Sequence, residues 1–171
     1  MNIYPISTKF IINIKGLTWN DCYYAYKHNL ISIDVFIEFA LKEMDASAET
    51  SDQIIELAGI SVKDIYTIQT LVEKIACTEL HEDFDIDKWL YITLFWVFSN
   101  RDQFVNLQEA IDGIYSDFNY SEEIKHMVSY MPCEGEIVKI QDKLINYLRK
   151  SKYAAIMNSE ALKTLSISKI K

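Results

Sequence analysis

The ten residues from Trp89 to Phe98, WLYITLFWVF, constrain the fold of this chain more than any other stretch. Only Thr93 among them is polar, so a helix built from these residues is apolar on nearly every side. Such a helix has to be enclosed by other elements, and the run is far shorter than the ~20 residues that cross a bilayer. We therefore predict a central aromatic helix inside a helical bundle, with no membrane contact.

An acidic cluster stands directly ahead of this run and consists of Glu82, Asp83, Asp85 and Asp87. Its three aspartates match positions 1, 3 and 5 of a calcium-binding EF-hand loop, which also needs Gly at position 6 and Glu at position 12. The chain has Lys88 and Leu94 at those two positions, so we expect no metal site here.

Acids at a helix N-terminus complement the helix dipole, and Asp85 or Asp87 can accept hydrogen bonds from the unpaired amides there. This cluster is therefore interpreted as the start of the aromatic helix. Its four carboxylates exceed what one helix end requires, so the same four residues are the first candidates for a partner-binding site.

Helical periodicity also dominates the rest of the chain. Apolar residues recur with a spacing of three and four from Ile33 to Met44 (including Leu41), from Ile65 to Ala76, from Phe104 to Phe118 and from Ile137 to Leu148. Shorter helices are predicted over 19–28, 52–58 and 122–130, the first with Thr18 and Asp21 as a capping pair. Ser32 is a candidate N-cap for the helix that follows it.

We therefore predict an all-α fold, a single domain over 1–171 with about seven to nine helices around the aromatic one. The β-branched residues of 9–16, KFIINIKG, favour a strand, but no partner strand is evident. Residues 1–17 are accordingly expected to form an extended N-terminal arm, and 166–171 a tail.

The charge of the chain is −8 and is unevenly placed. Residues 1–87 contain 15 acidic and six basic residues, whereas 88–171 contain ten and 11. Such a surface repels nucleic acid and anionic membranes and attracts basic partners. Arg101 and Arg149 are the only arginines among 17 basic residues, which also disfavours nucleic-acid binding because guanidinium groups are the usual readers of phosphates and bases.

Catalytic and cofactor signatures are missing from the sequence. The histidines, His28, His81 and His126, are isolated, and there is no glycine-rich phosphate loop or nucleophile elbow. The three cysteines (Cys22, Cys77 and Cys133) are far apart in sequence, as expected of buried thiols in a reducing compartment. We expect a cytoplasmic protein without a secretory signal, and with no catalytic residue, cofactor or metal.

The 11 tyrosines are an unusual feature, above all Tyr23, Tyr24 and Tyr26 close together. Core packing with the hydroxyl reaching the surface explains most buried tyrosines, but tyrosine is also enriched in protein interfaces. Both interpretations stay open at this point.

Two stretches, 16–40 and 88–132, resemble an uncharacterised bacterial domain-of-unknown-function family of all-helical, immunity-type proteins found in polymorphic toxin loci. The residues that carry the resemblance are Leu17, Thr18, Trp19, Asp21, Trp89, Leu90, Tyr115, Asp117, Phe118, Tyr120, Tyr130, Met131 and Pro132. The position after Tyr120 is Ser121, where the family pattern has proline. The resemblance implies an immunity protein without catalytic residues, whose partner is a cognate toxin domain such as a nuclease.

Two alternatives remain beside the immunity protein. The chain could be a helical adaptor of a larger complex, or a small enzyme with a site near Asp117, Tyr120 and His126. The segment 116–127, SDFNYSEEIKHM, does place several polar groups close together, although Ser121 and the two glutamates after it also suit an ordinary helix start.

Overall fold

The computed structural model describes residues 2–47, 49–78, 85–131 and 139–157. It confirms the all-α class: within these ranges there are eight α-helices and three short 3₁₀ helices, and no β-sheet. The α-helices are α1 (Thr8–Ile11), α2 (Trp19–Lys27), α3 (Asp34–Ala46), α4 (Asp52–Gly59), α5 (Ile65–Thr78), α6 (Ile86–Ser99), α7 (Leu107–Asp117) and α8 (Ile140–Lys150). The 3₁₀ helices are Arg101–Gln103, Lys125–Met127 and Lys152–Ile156.

The chain divides into two compact units. The N-terminal unit is residues 4–85 and contains α1 to α5; the C-terminal unit is residues 1–3 with 86–171 and contains α6 to α8. A single domain over 1–171 stays a prediction, and the predicted tail 166–171 lies outside the described residues. None of the described helices is long and apolar enough to cross a membrane.

In the N-terminal unit, α2 begins with the predicted capping box. The Thr18 hydroxyl accepts from the Asp21 amide at 3.1 Å, and the Asp21 carboxylate accepts from the Thr18 amide at 3.1 Å. α2 packs against α5, and α4 packs against both α3 and α5. The core between these helices is made by Cys22, Ala25, Val35, Phe36, Ile37, Ala40, Ile54, Leu57, Ile68, Leu71, Val72, Ile75 and Ala76.

The structure differs from the extended N-terminal arm predicted over 1–17, and residues 9–16, for which a strand was left open, form a short helix and turns. Residues 8–11 form α1, in which the Ile11 amide donates to the Ser7 carbonyl at 3.1 Å. Ile11 and Ile14 are buried, and their spacing of three suits a helical turn better than a strand. Because no partner strand lies beside this segment, its backbone groups form local hydrogen bonds instead. A single parallel β-bridge joins Ile6 to Ile31.

Ser32 does not cap α3, since the N-cap residue is Ile33 and has no side-chain hydrogen bond to the helix. Instead the hydroxyls of Ser32 and Thr8 both donate to the Asp34 carboxylate. Burial raises the pKa of Asp34, but these hydrogen bonds outweigh burial and leave its pKa lowered. Asp34 thereby joins α1 to the first turn of α3.

The C-terminal unit is organised by α6, as predicted from the aromatic run. Nine of its 14 residues are buried, including Trp89, Leu94, Phe95 and Phe98. α7 and α8 both pack against α6. The Tyr91 hydroxyl donates to the Leu148 carbonyl of α8 at 3.2 Å, and burial raises the pKa of Tyr91 to about 12.

The predicted helix over 122–130 is wrong, because only the short 3₁₀ helix Lys125–Met127 forms there. Two consecutive residues with positive φ follow α7, Asn119 at 54° and Tyr120 at 59°, and turn the chain back. The returning segment is bound to α7 through Asp112, which accepts from the amide of Ser129 at 3.0 Å and from its hydroxyl. Asp112 of α7 therefore holds the returning segment, which lacks the repeating backbone hydrogen bonds of an α-helix.

We predict that Leu94→Ala lowers the free energy of unfolding by about 2–5 kcal/mol, because it leaves a cavity beside a fully buried position of α6. Urea denaturation followed by circular dichroism measures this change. Unchanged stability would contradict the enclosed position of α6.

Thr93 supplies a second test on α6. Its hydroxyl and the Trp89 indole N–H, one helical turn away, are buried without a hydrogen-bond partner among the described residues. Thr93→Val removes an unpaired polar group at nearly constant shape, so we predict stability that is unchanged or higher by about 1 kcal/mol. Destabilisation beyond about 1 kcal/mol in the same denaturation experiment would show that the hydroxyl is hydrogen-bonded.

Candidate protein-binding surface

The structure describes only half of the predicted acidic cluster. Glu82 and Asp83 lie outside the described residues, whereas Asp85 and Asp87 are both partly buried. Asp87 lies in the first turn of α6, as expected for an acid that complements a helix start. Its charge also helps to raise the pKa of Tyr147, after burial and the Glu123 contact. Asp87 therefore has a structural role within the C-terminal unit.

The net charge belongs entirely to the N-terminal unit. Residues 4–85 contain 14 acidic and six basic residues, a net charge of −8, whereas residues 86–171 contain 11 of each. The acidic electrostatic potential of the chain therefore originates in the N-terminal unit.

Exposed apolar side chains concentrate in the same unit. Nine large apolar residues are exposed in the described part of the chain, and six of them lie between residues 41 and 66. We call these six the α3–α5 face: Leu41, Met44, Ile55, Val62, Ile65 and Tyr66. Exposed apolar residues that are scattered singly are common, whereas these six lie on three helices that follow one another in the chain and on the turn between the last two.

Acidic residues surround the helical part of the α3–α5 face. On α3, Leu41 lies between Glu38 and Asp45, which are exposed at helical spacings of three and four. Lys42, the exposed lysine next to Leu41, donates a hydrogen bond to the Ile12 carbonyl. On α4, the inward side chains Ile54 and Leu57 leave Ile55 outward, with Asp52 and Glu56 beside it.

The turn from α4 to α5 completes the face. Residues 61–66 are all exposed, and Tyr66 is 80% exposed. The backbone is nevertheless fixed locally, because the Asp64 carboxylate accepts from the Thr67 amide at 3.3 Å and the Asp64 amide donates to the Ser61 carbonyl at 2.9 Å. An ordered turn thus presents Val62, Ile65 and Tyr66 to solvent.

Tyr23 and Tyr26 of α2 lie beside α5, the helix that follows this turn. Tyr26 accepts from the Gln69 side chain at 2.7 Å, and Tyr23 donates to Glu73 at 2.9 Å. Gln69 and Glu73 follow Tyr66 along α5 at spacings of three and seven, so they lie on the same side of the helix. Side-chain hydrogen bonds therefore hold the surface next to the turn in one arrangement.

The polar groups considered for an enzyme site make separate contacts in the structure. In the described part of the chain, no hydrogen bond or ion pair joins Asp117, Tyr120 and His126. Tyr120 packs edge-on against Tyr115 at 5.3 Å, whereas His126 lines a surface cavity of about 470 Å³. The residues lining that cavity are Glu123, His126, Asn146, Tyr147, Lys150, Ser151 and Lys152.

Two titratable groups that line this cavity have shifted pKa values. Burial and the charge of Lys143 lower the pKa of His126. Burial and the hydrogen bond to Glu123, at 2.9 Å, raise the pKa of Tyr147 well above its usual range. Metal ligation has no clear place, since the described residues contain no group of three or more histidine, cysteine or acidic side chains close enough to hold an ion.

The α3–α5 face was missed by sequence reasoning for a specific reason. Leu41 and Met44 continue the apolar stripe of α3, and Ile65 continues that of α5, so the periodicity assigned all three to the core. The structure instead places them at 41%, 38% and 50% exposure. The acids at Glu38 and Asp45, which bracket Leu41, were the available signal.

Most residues that carried the family resemblance pack inside the units. Leu17, Trp19 and Asp21 are buried in the N-terminal unit, and Tyr115 and Phe118 in the C-terminal unit, as are Trp89 and Leu90. Pro132 lies outside the described residues. The shared pattern is thus largely a fold pattern, and it assigns no site.

Comparison with known proteins agrees at the level of the family. Neither the curated proteins nor the solved structures contain a match to this chain. A model of one protein family, described as an uncharacterised protein conserved in bacteria, matches residues 8–152 and so covers most of both units. The chain therefore belongs to this uncharacterised bacterial family, DUF2247.

Proposed function

We propose that this protein is an immunity protein, which binds a cognate bacterial toxin domain and blocks it by covering its active surface. The observation that carries the proposal is the coincidence, in one unit, of the whole net charge of −8 and six of the nine large apolar residues exposed among those that the structure describes. In this proposal the protein has no catalytic role, cofactor or metal, and it acts in the cytoplasm where the toxin would otherwise act.

The physical chemistry of the α3–α5 face supports a protein partner. Burying exposed apolar side chains is the main source of affinity in protein complexes, and acids around them speed association with a basic surface. Toxins that cleave nucleic acid have such surfaces because they bind phosphates. An acidic inhibitor that covers the phosphate-binding surface would exclude the substrate, which explains inhibition without chemistry.

The same properties argue against nucleic acid as the partner. Phosphate binding requires clustered lysine and arginine, whereas the N-terminal unit has 14 acidic residues against six lysines and no arginine. The C-terminal unit is neutral overall. A helical adaptor in a housekeeping complex would use the same face, so the identity of the bound protein separates the two roles.

We predict that this protein co-purifies with the toxin domain encoded immediately upstream of its gene and protects cells that express that toxin. We further predict that Glu38→Lys, Asp45→Lys and Glu56→Lys together slow association roughly tenfold and flatten its salt dependence, because they remove the attraction between the partners. Stopped-flow association at two salt concentrations measures both effects.

A matched control carries the same change in charge on the C-terminal unit: Asp102→Lys, Glu109→Lys and Asp117→Lys. This control should change the association rate much less than the triple variant of the N-terminal unit. The Asp83→Lys and Asp85→Lys pair tests the acidic cluster first proposed from sequence, and should also slow association if that cluster contacts the toxin. Absence of any binding between wild-type protein and the upstream toxin would remove the immunity proposal.

A further inference from the structure

We infer that Tyr66 on the first turn of α5, together with the turn that leads into it from α4, is the anchor that holds the protein partner in place, and that the partner offers it an apolar pocket bordered by basic residues. The inference rests on the proposed function and specifies which part of the α3–α5 face provides the affinity.

Exposure is the first reason. Tyr66 is 80% exposed, the highest value among the exposed aromatic side chains described, and Val62 and Ile65 beside it are 48% and 50% exposed. Three large apolar side chains within five residues therefore face water in the free protein. A partner that covers them removes apolar surface from water at a single compact point.

The order of the turn is the second reason. The hydrogen bonds of Asp64 fix the backbone around α5's first turn, and the Tyr66 carbonyl accepts from the Thr70 hydroxyl at 2.9 Å. Binding therefore does not have to order this segment, and the conformational entropy lost on association is small. Tyrosine adds to this advantage, because it offers a large contact area with only two side-chain torsions.

Charge defines the chemistry of the partner. Asp64 is within the turn and Glu56 is on the preceding helix, whereas Lys63 is the only base between Glu56 and Tyr66. A pocket bordered by lysine or arginine would pair with these acids while its apolar floor received Tyr66. Hot spots of protein interfaces have this organisation, an aromatic centre surrounded by a polar rim.

The surface beyond Tyr66 extends the site along α5. Gln69 and Glu73 are exposed and are bonded to Tyr26 and Tyr23 of α2, so they offer the partner polar groups that are already positioned. Tyr23 and Tyr26, two of the closely spaced tyrosines of α2, therefore hold the residues at the edge of the anchor in place.

Kinetics with the upstream toxin domain as the probe test this inference. Tyr66→Ala should raise the dissociation rate by about 30-fold or more, as hot-spot residues do, and leave the association rate within about threefold of wild type. Tyr66→Phe should bind almost as well as wild type, because the ring and not the hydroxyl fills the pocket. Thermal unfolding should be unchanged in both variants, since the side chain is exposed.

Tyr120→Ala is the matched control, because Tyr120 is 59% exposed and belongs to the C-terminal unit. Its dissociation rate should equal that of wild type. If wild type binds the toxin but Tyr66→Ala dissociates no faster, the anchor is wrong and the immunity function stands. If wild type does not bind the toxin, the immunity function fails and the anchor inference fails with it.

Discussion

The apolar surface of α6 has to be kept from water on almost every side, and the organisation of the C-terminal unit follows from this requirement. A helix with one apolar stripe needs a single packing partner, whereas α6 buries nine of its 14 residues. α7 and α8 supply their apolar stripes to it, and the Tyr91 hydroxyl is satisfied by a carbonyl of α8. The returning segment 121–131 then packs on α7 through Asp112.

The net charge is distributed unevenly between the two units. The C-terminal unit balances its charges, whereas the N-terminal unit carries the whole excess of acid and also holds six of the nine large apolar residues that are exposed in the described ranges. Neither property stabilises a free unit, because like charges repel one another and exposed apolar groups contribute no burial. Their coincidence is explained by a partner that neutralises the acids and covers the apolar side chains, which is the role we propose.

Sequence reasoning predicted those elements for which local and tertiary preferences agree. The α2 capping box and α6 belong to this group. A Thr18–Asp21 pair at this spacing is typical of a helix start, and a ten-residue apolar run has to be buried. The structures of 8–11 and 122–130 differ from the expected arm and helix because they depend on contacts distant in sequence. Asp34 binds Thr8 across 26 positions, and Asp112 binds Ser129 across 17.

The candidate site was the least predictable part. An apolar stripe has the same periodicity whether its last members meet a core or a partner, so Leu41, Met44 and Ile65 could not be separated from core residues without a structure. The tyrosines of α2 were recognised as unusual, but their hydrogen bonds to Gln69 and Glu73 become visible only once α2 and α5 pack together. The partner acids predicted from sequence, Glu82, Asp83, Asp85 and Asp87, stay a prediction, and the structure adds those around the α3–α5 face as candidates.

Amide hydrogen exchange of the protein, free and mixed with the upstream toxin domain, is the sharpest test of toxin binding through the α3–α5 face. We expect slower exchange in the complex over residues 38–66, which include the start of α5, because these backbone amides become covered or their local opening is suppressed. Exchange in α7 and in 119–131 should not change. Protection confined to the C-terminal unit, or no change anywhere, would show that the toxin does not bind through this face.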